Sequence, residues 1–392
     1  MLSGVVASST TKPILQNVKI EVKKDFIELF ATDLEIGIRY FIPISDIETI
    51  EEGIVIISES KVEGILRDWI DDTIEIVTEG NICSISGKDS EFTINTESDI
   101  DQFPPNPNFP EEGCFEIDQY AFCQLIKRTS FVNITEKIRY ILSGISVKIE
   151  GNKIEMISTD GRRMSKITDA IDNPLGISSS CIVPVKGLIQ LEKVITNELK
   201  SFGDAKLKVR IESNRILFKA KNFVYYIQLI DGTYPDCNMF IPKETKLTVN
   251  VNVQKLYSAV KRASIVTTED ANFLTFIFNE NKLLLKAEVS EIGNAKVVMD
   301  VDYDYKEQFE IGFNPDFVKD ALNVISSDIV TLEFAEEGKS GVIVEKLGSC
   351  TPEECGNFIH VIMPIMLKSE DEDEDEAGYE NEDRDEDEYV YV

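Results

Sequence analysis

The chain has 392 residues, of which 43% are apolar, so it can form hydrophobic cores and is not disordered as a whole. At about 150 residues per domain, this length predicts two or three domains. The net charge is −31; segment 368–392, with 14 acidic and two basic residues, contributes −12 and leaves −19 for residues 1–367. This balance excludes DNA binding by net charge alone, so any DNA contact needs a local arrangement of basic side chains.

Cysteine usage and hydropathy narrow the class of protein further. Seven cysteines are scattered along the chain, and the closest pair, Cys350 and Cys355, stands with a single histidine, His360. This ligand set does not suit a zinc site, so we expect reduced thiols in a cytoplasmic protein without metal or other cofactor. No apolar run approaches the ~18 residues of a membrane span, and residues 1–12 lack the basic region of a signal peptide. We therefore expect no membrane contact.

The predicted elements begin with a hairpin. Residues 18–21 alternate apolar and polar side chains and lead through a turn into a strand that ends at Ala31-Thr32-Asp33, the period of half-buried strands. A helix is predicted over 61–70. The proline-rich run 104–110 is a stiff connector that ends this first module.

A second module repeats this order. Asp118 is an N-cap residue type at the start of a predicted helix over 118–131. A hairpin follows, with strands from 147–150 to Ser158-Thr159-Asp160, offset from the first copy by 129 and 127 residues. A second helix is predicted over 186–195, and the module ends at 242–244.

The third copy is weaker. It has predicted helices over 253–265 and 317–325 and predicted strands over 276–278 and 283–289. The chain therefore reads as an α+β fold of repeated modules. The predicted boundaries are 1–110, 111–244 and 245–367, followed by the acidic tail 368–392, which is too charged to fold alone.

Nothing in the sequence supports an enzyme. There is no glycine-rich phosphate loop, and His360 lies in the apolar run 358–366, where a half-buried structural histidine is expected rather than a general base. Asp300, Asp302 and Asp304 alternate along a predicted strand. They could hold a hard cation for a metal-dependent hydrolase or form an exposed acidic face.

Two further features leave alternatives open. The pairs Lys127-Arg128 and Lys261-Arg262 recur in equivalent helices; they are either solvated faces or part of a surface that attracts phosphates without reading bases. The apolar run 361–367 is either a last core strand or, because Pro364 cannot continue a central strand, an exposed groove that binds peptides.

Five motifs together resemble the bacterial β sliding clamp family along essentially all of residues 1–367. Each alone is weak, but they stand in the family's order on a threefold repeat. They are Ala31-Thr32-Asp33-Leu34-Glu35, Ser158-Thr159-Asp160-Gly161-Arg162-Arg163-Met164, Val183-Pro184-Val185-Lys186-Gly187, Asp231-Gly232-Thr233-Tyr234-Pro235-Asp236 and Met363-Pro364-Ile365-Met366-Leu367.

The resemblance implies a homodimer in which three-domain subunits join head to tail into a six-domain ring, with helices inside and antiparallel sheets outside. It implies sequence-independent binding of double-stranded DNA within the ring and no catalysis. The side chains expected to face DNA are Lys61, Arg67, Lys127, Arg128, Arg139, Tyr140, Lys186, Lys193, Lys261 and Arg262.

The resemblance also implies a hydrophobic pocket for short linear motifs of the replicative DNA polymerase, the clamp loader, and mismatch-repair and ligation proteins. It places Phe103 of one subunit against Ile265 and Val266 of the next as the dimer interface. The expected pocket residues are Leu142, Thr159, Gly161, Arg162, Arg163, Met164, Pro235, Met239, Phe240, Val361, Met363, Pro364, Ile365, Met366 and Leu367.

This sequence departs from the family pattern in several places. Methionines at 239 and 366 stand where arginine is common, and Thr135 and Glu136 occupy a loop that often offers DNA contacts. A strand and helix usual before Ser8 have no counterpart, which predicts either a start upstream of Met1 or an incomplete first module. The acidic tail is either solvated, or a mimic of DNA or a modulator of the pocket. An alternative function is therefore a clamp-like adaptor that binds peptides but does not encircle DNA.

Overall fold

A computed structural model describes residues 2–7, 9–43, 51–132, 137–203, 206–335, 341–346 and 357–365, except the side chains of 137–139, 202 and 346. These residues form two compact units. The first contains residues up to Ile241, together with Val324–Ser327 and the described part of Val344–Val361. The second contains Pro242–Asn323, the described part of Asp328–Ile343, and the described residues 362–365.

The first module lies in the first unit and is built mainly of strands. Its one described α-helix, α1, covers Glu59–Arg67 and packs on strands β1 and β4. The strands are β1 (Asn17–Val22), β2 (Phe26–Thr32), β3 (Ile36–Pro43), β4 (Gly53–Ser58), β5 (Glu75–Glu79), β6 (Ile82–Ser86) and β7 (Glu91–Asn95).

The second module, also in the first unit, repeats this order with a helix on each side of its hairpins. Helices α2 (Gln119–Ser130) and α3 (Val185–Phe202) pack against each other. The strands are β8 (Phe115–Asp118), β9 (Gly144–Glu150), β10 (Lys153–Thr159), β11 (Arg163–Ala170), β12 (Ser179–Pro184), β13 (Lys206–Ile211), β14 (Arg215–Lys219) and β15 (Phe223–Gln228).

The second unit holds most of the third module. Its helices are α4 (Val253–Ala263), which packs on β18 and β19, and α5 (Pro315–Val324), whose last residue is counted with the first unit. The strands are β16 (Leu247–Asn252), β17 (Leu274–Asn279), β18 (Lys282–Val289), β19 (Gly293–Asp300), β20 (Phe309–Phe313), β21 (Ile329–Phe334), β22 (Gly341–Lys346) and β23 (Asn357–Ile362). The second half of β22 and nearly all of β23 are counted with the first unit.

Sheet order shows how the first two modules join. An eight-stranded antiparallel sheet runs β4-β1-β2-β3-β15-β14-β13-β8, so the third strand of module one pairs with the last strand of module two. A three-stranded sheet runs β5-β6-β7. In the second unit, a four-stranded sheet runs β19-β18-β17-β20. Within the described residues, β7 and β19 each pair with one neighbour and are therefore edge strands.

The β3–β15 junction depends on a glycine. A Cβ on Gly37 would lie 2.2 Å from the Tyr226 ring, so only glycine lets that ring cross the strand. The Tyr226 hydroxyl lies 2.6 Å from Thr32 Oγ1, and both side chains are buried. This close approach fixes the register in which Tyr226 stands opposite Gly37.

The structure also contains the predicted repeat at atomic detail. Thr32 Oγ1 donates to the Ile36 carbonyl at 2.7 Å, and Thr159 Oγ1 donates to the Arg163 carbonyl at 2.7 Å. The aspartate after each threonine accepts two backbone N–H groups across the turn. The second strand of each predicted hairpin therefore leads into the next strand through the same turn.

Candidate nucleic-acid and peptide-binding surfaces

The turn 159–164 is a preorganised loop at the centre of the predicted peptide site. Gly161 has a φ of 87°, a conformation that favours glycine, and Asp160 Oδ1 accepts the N–H groups of Arg162 and Arg163 at 2.9 Å each. The Arg163 side chain is buried, with Nε 3.0 Å from Asp160 Oδ2 and the guanidinium over the Phe131 ring. Arg162 is exposed.

A connector after β15 lies against this turn. The Tyr234 hydroxyl accepts the N–H of Thr159 at 3.1 Å, and Lys166 Nζ donates to Asn238 Oδ1 at 2.6 Å. Gly232 has a φ of 136°, and a Cβ there would lie 3.0 Å from Ile141. Segments 137–143, 159–164 and 232–240 are thereby brought together within the first unit.

The structure places the predicted pocket residues in two groups. In the first unit, Leu142, Thr159, Met164 and Val361 are buried, while Gly161, Arg162, Pro235, Met239 and Phe240 are exposed. Met239 is 74% exposed and stands next to the exposed Phe240, so this connector presents two adjacent large apolar side chains to solvent.

The remaining pocket residues follow β23. The strand ends at Ile362, as expected from Pro364; Met363 and Ile365 are both exposed, and Pro364 is half-buried. Ile365 still donates its N–H to the Gly312 carbonyl at 2.9 Å. Met366 and Leu367 lie outside the described residues, as do Thr135, Glu136, Cys350, Cys355 and the tail 368–392.

Most of the basic residues expected to face DNA are exposed, but several already have acidic partners. Arg67 is paired with Glu63 at 2.7 Å, Lys127 with Glu192 at 3.4 Å, and Lys186 with Asp33 at 2.7 Å. The other exposed positions of this set are Lys61, Tyr140, Lys193, Lys261 and Arg262. The side chain of Arg139 lies outside the described part.

The expectation that Arg128 presents charge to DNA is wrong. Its side chain is 1% exposed; Nε donates to Glu345 Oε2 at 3.0 Å, and Nη1 and Nη2 donate to Gln124 Oε1 and Ser326 Oγ. The carboxylate of Glu345 is fully buried and also accepts two backbone N–H groups. Arg128 is therefore half of a buried ion pair, whereas its counterpart Arg262 is exposed.

The predicted interface residue Phe103 is also placed differently. It is 7% exposed and packs edge-on against Phe30, with ring centroids 5.6 Å apart, so it belongs to the core of module one. Ile265 is 77% exposed, and Val266 is half-buried. The exposed aromatic residue on an edge strand of module one is Phe92, on β7; no sequence pattern singled it out.

The candidate catalytic groups do not form a site. His360 is fully buried; burial, and then the charge of Arg163, lower its pKa to about 3, which leaves a neutral ring against Ser165. Of the three predicted acidic residues, Asp300 alone lies in a strand, but all three are exposed.

The cysteines behave as structural residues. Burial raises the pKa of the Cys181 thiol to about 12, and the five cysteines in the described part form no disulfide. That part contains no cluster of metal-binding side chains and no helix long and apolar enough to cross a membrane.

Three family models match the chain in sequence order. They are those of the DNA polymerase III beta subunit: the N-terminal domain over residues 1–107, the central domain over 116–236 and the C-terminal domain over 238–365. The chain belongs to the DNA polymerase III beta subunit family. It therefore contains three clamp domains, as the repeat predicts.

Relatives and solved structures agree with this family. The beta sliding clamp of Haemophilus influenzae is 28% identical over 367 residues, which are 93% of this chain and 95% of that protein. The Bacillus subtilis DNA polymerase sliding clamp superposes with a TM-score of 0.84 at 25% identity, covering 94% of this chain and 95% of that one. The Pseudomonas aeruginosa clamp bound to griselimycin has the same TM-score and identity, with 93% and 95% covered.

Membership of this family establishes the general function. The chain is a DNA sliding clamp, a non-catalytic accessory subunit that binds DNA and the polymerase and makes the polymerase processive.

Proposed function

We propose that two copies of the chain close head to tail into a ring of six domains around duplex DNA. The observation that carries this proposal is the pair of open edges, β7 and β19. Inside the chain, the third strand of module one's hairpin sheet, β3, pairs with the last strand of module two, β15. The equivalent strands with a free edge are β19 in module three and β7 in module one. Pairing of β19 with the partner's β7 repeats the internal junction between two copies.

Side chains beside these edges suit a dimer interface. Phe92 on β7 is 40% exposed and packs near Trp69, with ring centroids 6.4 Å apart. Ile265, in the short 3-10 helix Ser264–Val266, lies beside β19 and is 77% exposed. We therefore replace Phe103 by Phe92 as the apolar contact of module one with the partner's Ile265 and Val266.

DNA contact in this proposal comes from exposed lysines and arginines on the helices. Lys61 lies on α1, Lys193 on α3, and Lys261 and Arg262 on α4. Long, flexible cationic side chains of this kind attract phosphates without sequence preference. Enclosure, rather than tight contact, then keeps the clamp on DNA while it slides.

Partner proteins dock on the motif pocket, which we define by residues of the first unit: 142, 159–164, 235–240 and 361. The exposed Met239 and Phe240 offer adaptable apolar contacts there. Met363 and Ile365, which follow β23, are also exposed. We propose that polymerase, clamp loader, and mismatch-repair and ligation proteins share this pocket through short linear motifs, and that the Pseudomonas clamp's ligand, griselimycin, also binds this chain. The protein would act in the cytoplasm, where it meets DNA.

Retention on DNA of different topology tests the ring. The clamp is loaded by its clamp loader onto a nicked circular plasmid, and half of the sample is then linearised with a restriction enzyme. A ring remains on the circle and slides off the linear ends. Equal retention on both forms contradicts encirclement.

A clamp-like adaptor is the second candidate, and one observation favours it. Among the described residues, module one has a single α-helix where module two has a packed pair, and every residue of β5 is exposed. A monomeric mass together with intact binding of motif peptides would support the adaptor over the ring.

A further inference from the structure

A cavity of about 370 Å³ lies beside the motif pocket, on the sheet of module two. Strands β9, β10 and β12 form its floor, and the connector 232–238 forms its wall. Ile157 and Ile182 are the apolar floor residues, on either side of Ser146 in the sheet register. All of its lining residues belong to the first unit.

Module one shows what normally fills this place. There, Phe30 and Ile56 flank Lys19 in the same register. Phe103 from the equivalent connector packs on Phe30, and Arg39 crosses to Glu28 at 2.8 Å. The space between sheet and connector is thereby filled with an aromatic pair.

In module two, smaller or differently held side chains leave the space open. Ile157 replaces Phe30, and Tyr234 stands where Phe103 stands in the connector. The Tyr234 hydroxyl is held by the N–H of Thr159 at 3.1 Å. Lys166, the counterpart of Arg39, reaches Glu155 at 2.8 Å and Asn238 at 2.6 Å. No aromatic pair forms over Ile157.

The charged side chains around the cavity are already satisfied. Lys148 pairs with Glu150 at 2.6 Å, Glu155 pairs with Lys166, and Asp236 caps the turn that begins at Cys237. The charges of Lys148 and Glu155 are therefore balanced by their ion-pair partners, whereas the exposed Asp236 carboxylate accepts hydrogen bonds from Asn238 alone among the described residues. The cavity opens to solvent and has polar side chains around its apolar floor. Its volume exceeds the roughly 150 Å³ that holds benzene in an enclosed apolar cavity, so an aromatic side chain fits by size.

The cavity adjoins the motif pocket. Pro235 lines the cavity and belongs to the pocket, and the same connector continues to the exposed Met239 and Phe240. A peptide bound in the pocket thus has its flanking residues next to the cavity. Four extended residues reach about 13 Å, which spans a neighbouring site.

We propose that this cavity takes one apolar side chain, of leucine or phenylalanine size, from the residues that flank the docking motif of a partner protein. The inference rests on the proposed peptide docking. It adds a second anchor, which separates partners that share a similar motif according to what stands beside it.

The probes are peptides that reproduce the docking segment of the replicative polymerase. The shortest peptide contains the motif alone. Four longer peptides carry an extension of four residues at the N-terminal or the C-terminal end, and the outermost residue of each extension is either Phe or Ser. We expect the Phe-extended peptide to bind about tenfold more tightly than the Ser-extended one in one of the two directions, measured by calorimetry on the full chain.

Two variants fill the cavity in different ways. Ile157→Phe copies the residue of module one, and Ser146→Phe fills the space from the neighbouring strand; thermal unfolding checks that each is folded. Either should abolish the gain from Phe and leave the affinity of the short peptide unchanged. Phe240→Ala, in the pocket itself, should weaken all peptides alike and keep their ratio.

Equal affinity of Phe- and Ser-extended peptides in both directions overturns the second anchor while peptide docking stands. A gain that persists in both filled variants also overturns it. Failure of every peptide to bind the unmodified chain overturns the docking proposal and the second anchor together.

Discussion

Arg128 and Glu345 carry opposite charges in a buried position, and this decides what their substitution costs. Both are essentially fully buried, and the carboxylate also accepts N–H groups from Ser326 and Ser327. A buried pair adds little net stability over an apolar pair, but removal of one partner leaves a charge that cannot be solvated. The pair therefore acts as a constraint on which packing of α2 is allowed.

Arg128→Met should lower the free energy of unfolding by about 3–5 kcal/mol, because Glu345 remains buried without its counter-ion. The neighbouring Lys127→Met is the control: Lys127 is 50% exposed beside Glu192, so it should cost less than about 1 kcal/mol. Urea unfolding measures both. If the double variant Arg128→Met/Glu345→Leu does not recover most of the loss, the unpaired charge is not its cause.

His360 gives a second prediction at this scale. Its buried ring has a pKa of about 3 against an ordinary value of 6.5. The unfolded chain therefore takes up a proton between these values that the folded chain refuses, and stability falls as pH falls below 6.5. From pH 7 to 5.5 the loss is about 1 kcal/mol.

Because the chain has one histidine, a single imidazole NMR signal reports its state. It should keep the chemical shift of the neutral ring from pH 7.5 down to 4.5 in the folded protein. A titration midpoint near 6.5 would show that the ring is hydrated.

Arg128 also shows which contacts the sequence alone cannot predict. The turns at Asp33 and Asp160 were predictable because each aspartate bonds to residues at most three positions away. The burial of Arg128 was not, since its partner Glu345 lies 217 positions along the chain. A basic pair on a helix has the same sequence pattern whether its side chains are solvated or form an ion pair with a carboxylate from a distant part of the chain.

At the scale of elements, helix positions were predictable and their ends less so. Asp118 is the N-cap of α2, as predicted, and accepts the N–H of Ala121 at 2.9 Å. Helix α3 runs to Phe202 rather than residue 195, and within the added turns Glu198, in the apolar register, is buried and accepts a hydrogen bond from the Tyr40 hydroxyl at 3.4 Å. A glutamate there interrupts the pattern in sequence but not the helix.

The edge strands give the prediction that belongs to this scale. Phe92→Glu on β7 and Ile265→Glu beside β19 each place a charge in the proposed junction, where its desolvation opposes strand pairing. Light scattering should give about twice 44.2 kDa for the unmodified chain and the mass of one chain for either variant. Leu175→Glu is the control: Leu175 is 64% exposed and away from both edges in sequence, and its variant should remain dimeric.

A monomeric unmodified chain would contradict the pairing, and so would two variants that both remain dimeric. Phe103, the residue first expected there, could not serve, because its ring is occupied with Phe30. From sequence alone, a core aromatic residue, Phe103, could not be separated from an exposed aromatic residue on an edge strand, Phe92, eleven positions away.

At the scale of the whole molecule, ring closure explains how a protein with net negative charge stays on DNA, which is itself negatively charged. With −31 net charge, long-range electrostatics repel DNA, so in the proposed ring the attraction has to come from local basic surfaces on the helices. A closed ring needs no strong attraction to stay bound. Weak contacts that do not read sequence also leave it free to slide.

Removal of positive charge from the helices separates electrostatic attraction from enclosure as causes of retention on DNA. The substitution of Lys61, Lys193, Lys261 and Arg262 by Gln removes exposed positive charge from α1, α3 and α4. The salt dependence of binding to a short linear duplex should become shallower by about 0.9 in log–log slope for each phosphate that the variant no longer neutralises. Retention on closed circular DNA should equal that of the unmodified chain, because enclosure does not depend on charge.

The control removes as many exposed charges from strands and turns: Lys24, Lys88, Lys153 and Lys282. Its salt slope should not change. Rapid loss of the helix variant from closed circles would show that attraction, not enclosure, holds this clamp on DNA.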